Sequence, residues 1–294
     1  MAGRLSKAIH YFVFGNFLIA FSAVALTHLS QLSEEISTGD LHLLVFVFFS
    51  TLLVYNLNLI EGMKGLKASA FRSERHNWIV KHEKFIWAFS VLSLIVSIGE
   101  LTALKKDTLI FLLVPGLFAL GYAVPIKLPG LKTIRLRELP FVKIFLVAWV
   151  WATFTVGLPL VQQNSLAELF QLNNFLLFLS RAVFIFALTI PFDIRDLNYD
   201  TDKHISTIPS RFGIEKSKYF SLFLIMVFMI VSIIRFQYNF CTTSELIALA
   251  LSALVSAALI LKINNQRKEF FYSVFMDGMM PVQWIFVILI SKIV

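Results

Sequence analysis

The chain has 294 residues, of which 58% are hydrophobic and 15% charged, with a formal net charge of +8. That leaves too little polar surface for a soluble domain of this length. The positive charge sits in short segments between long apolar runs, a pattern that membrane topology explains without nucleic-acid binding.

Nine apolar runs follow one another, at roughly 9–29, 41–60, 85–101, 108–124, 141–161, 175–192, 219–236, 245–263 and 270–293. Each is about the 20 residues that a helix needs to cross ~30 Å of hydrocarbon. The runs are continuous rather than alternating, which argues against barrel strands. No Gly/Ser-rich or Pro-rich linker divides them. The expected architecture is all-α: a bundle of about nine transmembrane helices forming a single domain over 1–294.

In the first run, Arg4 and Lys7 precede an apolar stretch that reaches Ala23-Val24-Ala25, a sequence that imitates a signal-peptidase site. The stretch is long for a signal peptide and continues through Leu26, so a retained first helix is expected. The only cysteine, Cys241, excludes an intramolecular disulfide and gives no sign of a thiolate metal site.

Loop charge sets the expected orientation. The N-terminal tail and the loops after runs two, four, six and eight carry 21 of the 26 Lys and Arg residues. Basic loops stay in the cytoplasm, so the N-terminus is expected inside and the C-terminus outside. The loop after run four gathers Lys127, Lys132, Arg135, Arg137 and Lys143 around Pro125, Pro129 and Pro140. These side chains suit a phosphorylated substrate, although positive-inside anchoring explains any single one of them equally well.

Run six ends in the most informative stretch, Pro191-Phe-Asp-Ile-Arg-Asp-Leu-Asn-Tyr-Asp-Thr-Asp202. On an unbroken helix Asp193, Asp196 and Asp200 would lie within about 60° of one another, with Arg195 and Asp202 pointing away. Converging carboxylates call for a cation, and hard oxygen ligands suit Mg²⁺ with substrate phosphates. Two charges fall inside runs. Arg181 is expected to snorkel outward, and Asp277, about two turns in, to support the site or bond a neighbouring helix. Together these features describe a site for a substrate with a diphosphate head and a long apolar tail.

The sequence here resembles the UbiA-type intramembrane prenyltransferases. The match rests on Asp193-Ile-Arg-Asp196-Leu-Asn-Tyr-Asp200, followed by Thr207-Ile-Pro209-Ser-Arg-Phe-Gly213, with weaker matches at Gly121-Tyr122, Pro125 and Phe275-Met-Asp277-Gly278. The resemblance implies Mg²⁺-dependent transfer of a prenyl group from a prenyl diphosphate to a hydrophobic or aromatic acceptor, at the inner face of the bilayer. It makes Asp193, Asp196 and Asp200 the catalytic metal ligands, and Lys127, Arg135, Arg137 and Lys143 the diphosphate contacts.

The family's first motif, Asn-Asp-x-x-Asp, is not reproduced. With Asn56 aligned on the family's asparagine, Leu57 and Ile60 fall where the acids belong. Asn56 and Asn58 are then left to contact substrate, and Glu61 is the nearest carboxylate for metal. A set of mainly neutral ligands holds Mg²⁺ more weakly. This departure keeps a second expectation open, a non-catalytic member such as an assembly factor or transporter.

Overall fold

The computed structural model describes residues 2–34, 36, 38–68, 74–125, 136, 139, 142–202, 205–264 and 267–293. Among these the protein is helical and forms no strand. Eight helices are long and apolar enough to span a bilayer, and a bent pair makes a ninth.

That pair is α1 (Ala2–Phe14) and α2 (Phe17–Ser33), which meet at 62°. Gly15 and Asn16 make the elbow. A Cβ at Gly15 would collide with the Tyr11 carbonyl oxygen, so only glycine fits. Asn16 takes φ 66°, a left-handed conformation that asparagine tolerates better than most residues. Its buried side chain donates from Nδ2 to Asn56 Oδ1 at 2.9 Å.

The remaining spans begin with α3 (Leu41–Ala68), the short α4 (Glu74–Lys81), α5 (Glu83–Glu100) and α6 (Lys106–Ala123). A fifth span joins α7 (Val142–Ala152) to α8 (Leu158–Gln163) through a π-turn at Thr153–Gly157. Then come α9 (Leu172–Arg195), the short α10 (Leu197–Asp202) and α11 (Ile208–Phe212), α12 (Ile214–Gln237) and α13 (Thr243–Leu261). The last span joins α14 (Glu269–Phe271) to α15 (Asp277–Ile290) through a second π-turn, Tyr272–Met276. Helix α9 packs against α12 and α7, and α2 against α3 and α15. Leu26, Val47, Phe184, Ala187 and Ile190 fill the centre, while Leu113, Leu117, Phe145 and Leu254 face outward, as lipid contact requires.

The motif after the acids has a local explanation. Thr207 caps α11 in a reciprocal capping box with Ser210, and Pro209 sits in the first turn, where its missing N–H is no loss. Gly213 joins α11 to α12 at φ 83°, a conformation that glycine adopts at no steric cost.

At the end of the bundle away from the acids, Arg235 is fully buried between two carboxylates. It donates to Glu34 at 3.0 Å, to Glu245 at 3.4 Å and to the Phe240 carbonyl at 3.0 Å. Arg181 does not snorkel. It is buried and donates to Ser30 at 3.2 Å, because its position on α9 faces α2 rather than lipid. Burial raises the Glu34 carboxyl to about 7, and the Arg235 charge offsets it only in part. Between its ordinary value of 4.5 and about 7, the folded state therefore holds a proton that the unfolded state has released. Stability should fall as pH rises through that window. The thermal midpoint in detergent should be higher at the acid end, and Glu34→Gln should remove the difference. A wild-type midpoint that is flat or rises with pH would contradict this.

Candidate active site

A cavity of about 230 Å³ opens among α2, α3, α4, α6, α7, α9 and α15. Its polar end carries three acids, Asp193, Asp196 and Asp277, and three cations, Arg75, Lys143 and Arg195. Its apolar part is lined by residues such as Ile19, Val54, Val147, Ile185 and Leu188. Trp151 lies eight residues beyond Lys143, ~12 Å along the helix. Its indole N–H donates to the Tyr55 hydroxyl at 3.2 Å and ties the α7 and α3 walls together.

The charges are paired closely. Lys143, in the first turn of α7, donates to Asp193 Oδ1 at 2.7 Å in the last turn of α9. Arg195 grips its own neighbour Asp196 with two hydrogen bonds, at 2.7 Å and 2.9 Å. Burial pushes the Asp196 carboxyl up, but the Arg195 charge and hydrogen bonds outweigh it and hold the group down to about 2. Asp196 is therefore an anion at any physiological pH. Arg195 also lies over the Phe192 ring at 5.0 Å, a cation–π contact that fixes the guanidinium against the wall. Burial, and next the Arg195 charge, lower the pKa of Arg75.

Of the three acids of run six, Asp193 and Asp196 line the cavity and Asp200 does not. The helix that was expected to run through Asp200 ends at Arg195, and Asp196 leaves helical geometry at φ −87°, ψ 2° before α10 begins. The break brings Asp193 and Asp196 to the cavity and leaves Asp200, though buried, off its wall. It also turns Arg195 into the cavity, against the helical expectation. Glu61 is absent from the wall too. Among the described residues no group of three or more His, Cys, Asp or Glu is arranged to hold a metal.

The donor set still fits one cation. Asp193 Oδ2 is buried with no hydrogen-bond partner, and Asn58 lines the cavity with Asp193 and Asp196. Asn56 does not line the cavity, and its carboxamide oxygen accepts from Asn16. Lys143 is on the wall as expected, while Lys127, Arg135 and Arg137 lie outside the described residues. The sequence reading missed Arg75, Arg195, Tyr122 and Ser273 as cavity residues. For Arg75 a signal existed, since an arginine that begins a short helix between spans need not serve topology alone.

The bundle resembles known structures over nearly its whole length. A UbiA homologue from Archaeoglobus fulgidus, bound to DMAPP and Mg²⁺, matches at 11% identity and TM-score 0.63, covering 97% of this chain and 99% of that one. An apo UbiA homologue from Aeropyrum pernix K1 matches at 13% identity and TM-score 0.66, covering 93% and 95%. A digeranylgeranylglyceryl phosphate synthase matches at 18% identity and TM-score 0.60, covering 98% and 99%. At such identities the likeness is one of fold. None of the curated protein sequences matches. The model of the UbiA prenyltransferase family matches residues 80–279, a stretch that contains the cavity acids of α9 and α15 and the Thr207–Gly213 caps. This integral, multi-pass membrane protein therefore belongs to the UbiA prenyltransferase family.

Proposed function

We propose that the protein transfers a prenyl group from a prenyl diphosphate to a hydrophobic or aromatic acceptor, with Mg²⁺, at the cytoplasmic face of the membrane. The observation that carries this reading is the cavity itself, where three cations and three carboxylates stand at one end of an apolar chamber inside a helix bundle. A relative of the same fold is known with DMAPP and Mg²⁺ bound, which supports the ligand class.

In this reading Arg75, Lys143 and Arg195 bind the diphosphate. Lys143 and Arg195 turn from their carboxylates to phosphate oxygens, which leaves Asp193 and Asp196 free to hold Mg²⁺ with Asn58. The metal, when bound, supplies Lewis-acid withdrawal of charge from the departing diphosphate. Arg75 and Lys143 would stabilise the same charge directly. The apolar wall holds the tail and keeps water from the reacting carbon. Arg75 compensates in part for the acids missing at Leu57 and Ile60, because a guanidinium meets phosphate oxygens without a metal between them.

The test is a Mg²⁺ titration of prenyl diphosphate binding to purified protein. Wild type should bind, and Leu57→Asp with Ile60→Asp should lower the Mg²⁺ required. If wild type binds at no Mg²⁺ concentration while the double variant does, the protein is a non-catalytic family member. Binding by neither would leave a shared fold only. The cytoplasmic placement has its own check. Single cysteines at Ser73 and Ser210 should react with an impermeant thiol reagent only from the inside, and external labelling at either would reverse the orientation.

A further inference from the structure

Among the cavity carboxylates, Asp277 is the one that the tight pairings leave over. Lys143 holds Asp193 and Arg195 holds Asp196. The Asp277 carboxylate lines the cavity and accepts no hydrogen bond among the described residues. The opposite charges acting on it are Arg75 and Arg195.

Its backbone is built for the position. Asp277 follows directly on the π-turn Tyr272–Met276, and such turns recur where a side chain is presented to a site. Four residues later Pro281 has no N–H to give, so the Asp277 carbonyl loses its helical donor. The Ser22 hydroxyl of α2 lies 3.2 Å from that carbonyl, its one hydrogen shared with the nearer Leu18 carbonyl at 2.8 Å. Asp277 is thus fixed from a second helix while its side chain stays available. Ser273, one turn earlier, adds a hydroxyl to the same wall. A carboxylate inside a membrane bundle is costly, and one held open in a cavity has a use for its oxygens.

We propose that Asp277 is the general base that takes the proton the acceptor sheds, an inference that rests on the prenyl-transfer reading. The bond between prenyl C1 and the diphosphate oxygen breaks, and its electron pair leaves with diphosphate. The nucleophilic atom of the acceptor forms the new bond to C1, and the proton that atom carried passes to the Asp277 carboxylate. The products are the prenylated acceptor and diphosphate, and Asp277 returns its proton to water when the product leaves. This assignment separates the two sides of the site. Asp193 and Asp196 serve the donor, and Asp277 serves the acceptor.

The experiment uses full-length protein in liposomes, radiolabelled geranyl diphosphate with Mg²⁺, and total membrane lipid as the source of acceptor. Donor binding and transfer of label into lipid are measured separately. Asp277→Asn and Asp277→Ala should bind geranyl diphosphate within about threefold of wild type and lose transfer by roughly 10²–10⁴-fold. Sodium formate should restore transfer to Asp277→Ala, because its carboxylate can enter the vacated space, and should do nothing for Asp277→Asn. A purely structural role would not respond to formate. Thermal midpoints accompany each measurement, and if Asp277→Asn does not fold, the formate response of Asp277→Ala decides. Transfer by the variants at the wild-type rate, or donor binding that falls in step with transfer, would overturn the role of Asp277. Wild type that binds donor but labels no lipid would overturn the transfer reading, a result distinct from either.

Discussion

Replacing Arg235 with methionine should destabilise the protein by about 3–5 kcal/mol, the range expected when one partner of a buried ion network is removed. The side chain is fully enclosed, and its guanidinium is shared by Glu34 at the end of α2, Glu245 at the start of α13 and the Phe240 carbonyl between α12 and α13. Methionine fills much of the volume but leaves two carboxylates facing each other in the interior. The loss should appear as a lower thermal midpoint in detergent. Adding Glu34→Gln and Glu245→Gln to the Arg235→Met protein should recover part of it, since the uncompensated charges are then gone. If Arg235→Met melts within a degree or two of wild type, the network contributes little and the helix ends are held by packing alone.

The second large effect is expected at the other end of the bundle. Asp193→Asn should weaken Mg²⁺-dependent binding of prenyl diphosphate by at least about 100-fold, or ~2.7 kcal/mol. The carboxylate oxygen open to a cation becomes neutral, and that loss outweighs the freeing of Lys143 for the diphosphate. Asp196→Asn should act in the same direction, because it removes the second carboxylate that would hold Mg²⁺ on the cavity wall. Asp200→Asn should lose far less, since that side chain is off the cavity wall. Equilibrium binding of labelled geranyl diphosphate at saturating Mg²⁺ measures all three. Asp200→Asn as the most damaging change would show that the cavity is not the donor site.

Much of this architecture is legible in the sequence, because membrane-spanning helices announce themselves through length and continuous apolarity. Among the described residues eight of the nine runs correspond to helices long enough to span and the first to a bent pair, and the sharp features at their ends follow from single residues, as with Thr207, Pro209 and Gly213 in the turn before α12. The inward faces were harder to read. An unbroken helix was the natural assumption for residues 193–200, yet one residue of non-helical geometry at Asp196 exchanges Arg195 for Asp200 on the cavity wall. Periodicity cannot foresee such a break, because it carries no information on a contact such as that between Arg195 and Asp196. Arg181 shows the same limit. Its distance from the helix ends suggested an outward reach, and only the tertiary neighbour Ser30 fixes it inside.

The hydrogen bond between Asn16 and Asn56 has a consequence for how such a chain changes over generations. On the resemblance Asn56 aligns with the asparagine that opens the family's first motif, and its carboxamide here braces the elbow between α1 and α2. Where the neighbouring acids are lost, positions 16 and 56 should be inherited as a pair, changing together or not at all. Where the acids are kept, position 56 should hold steady while position 16 drifts.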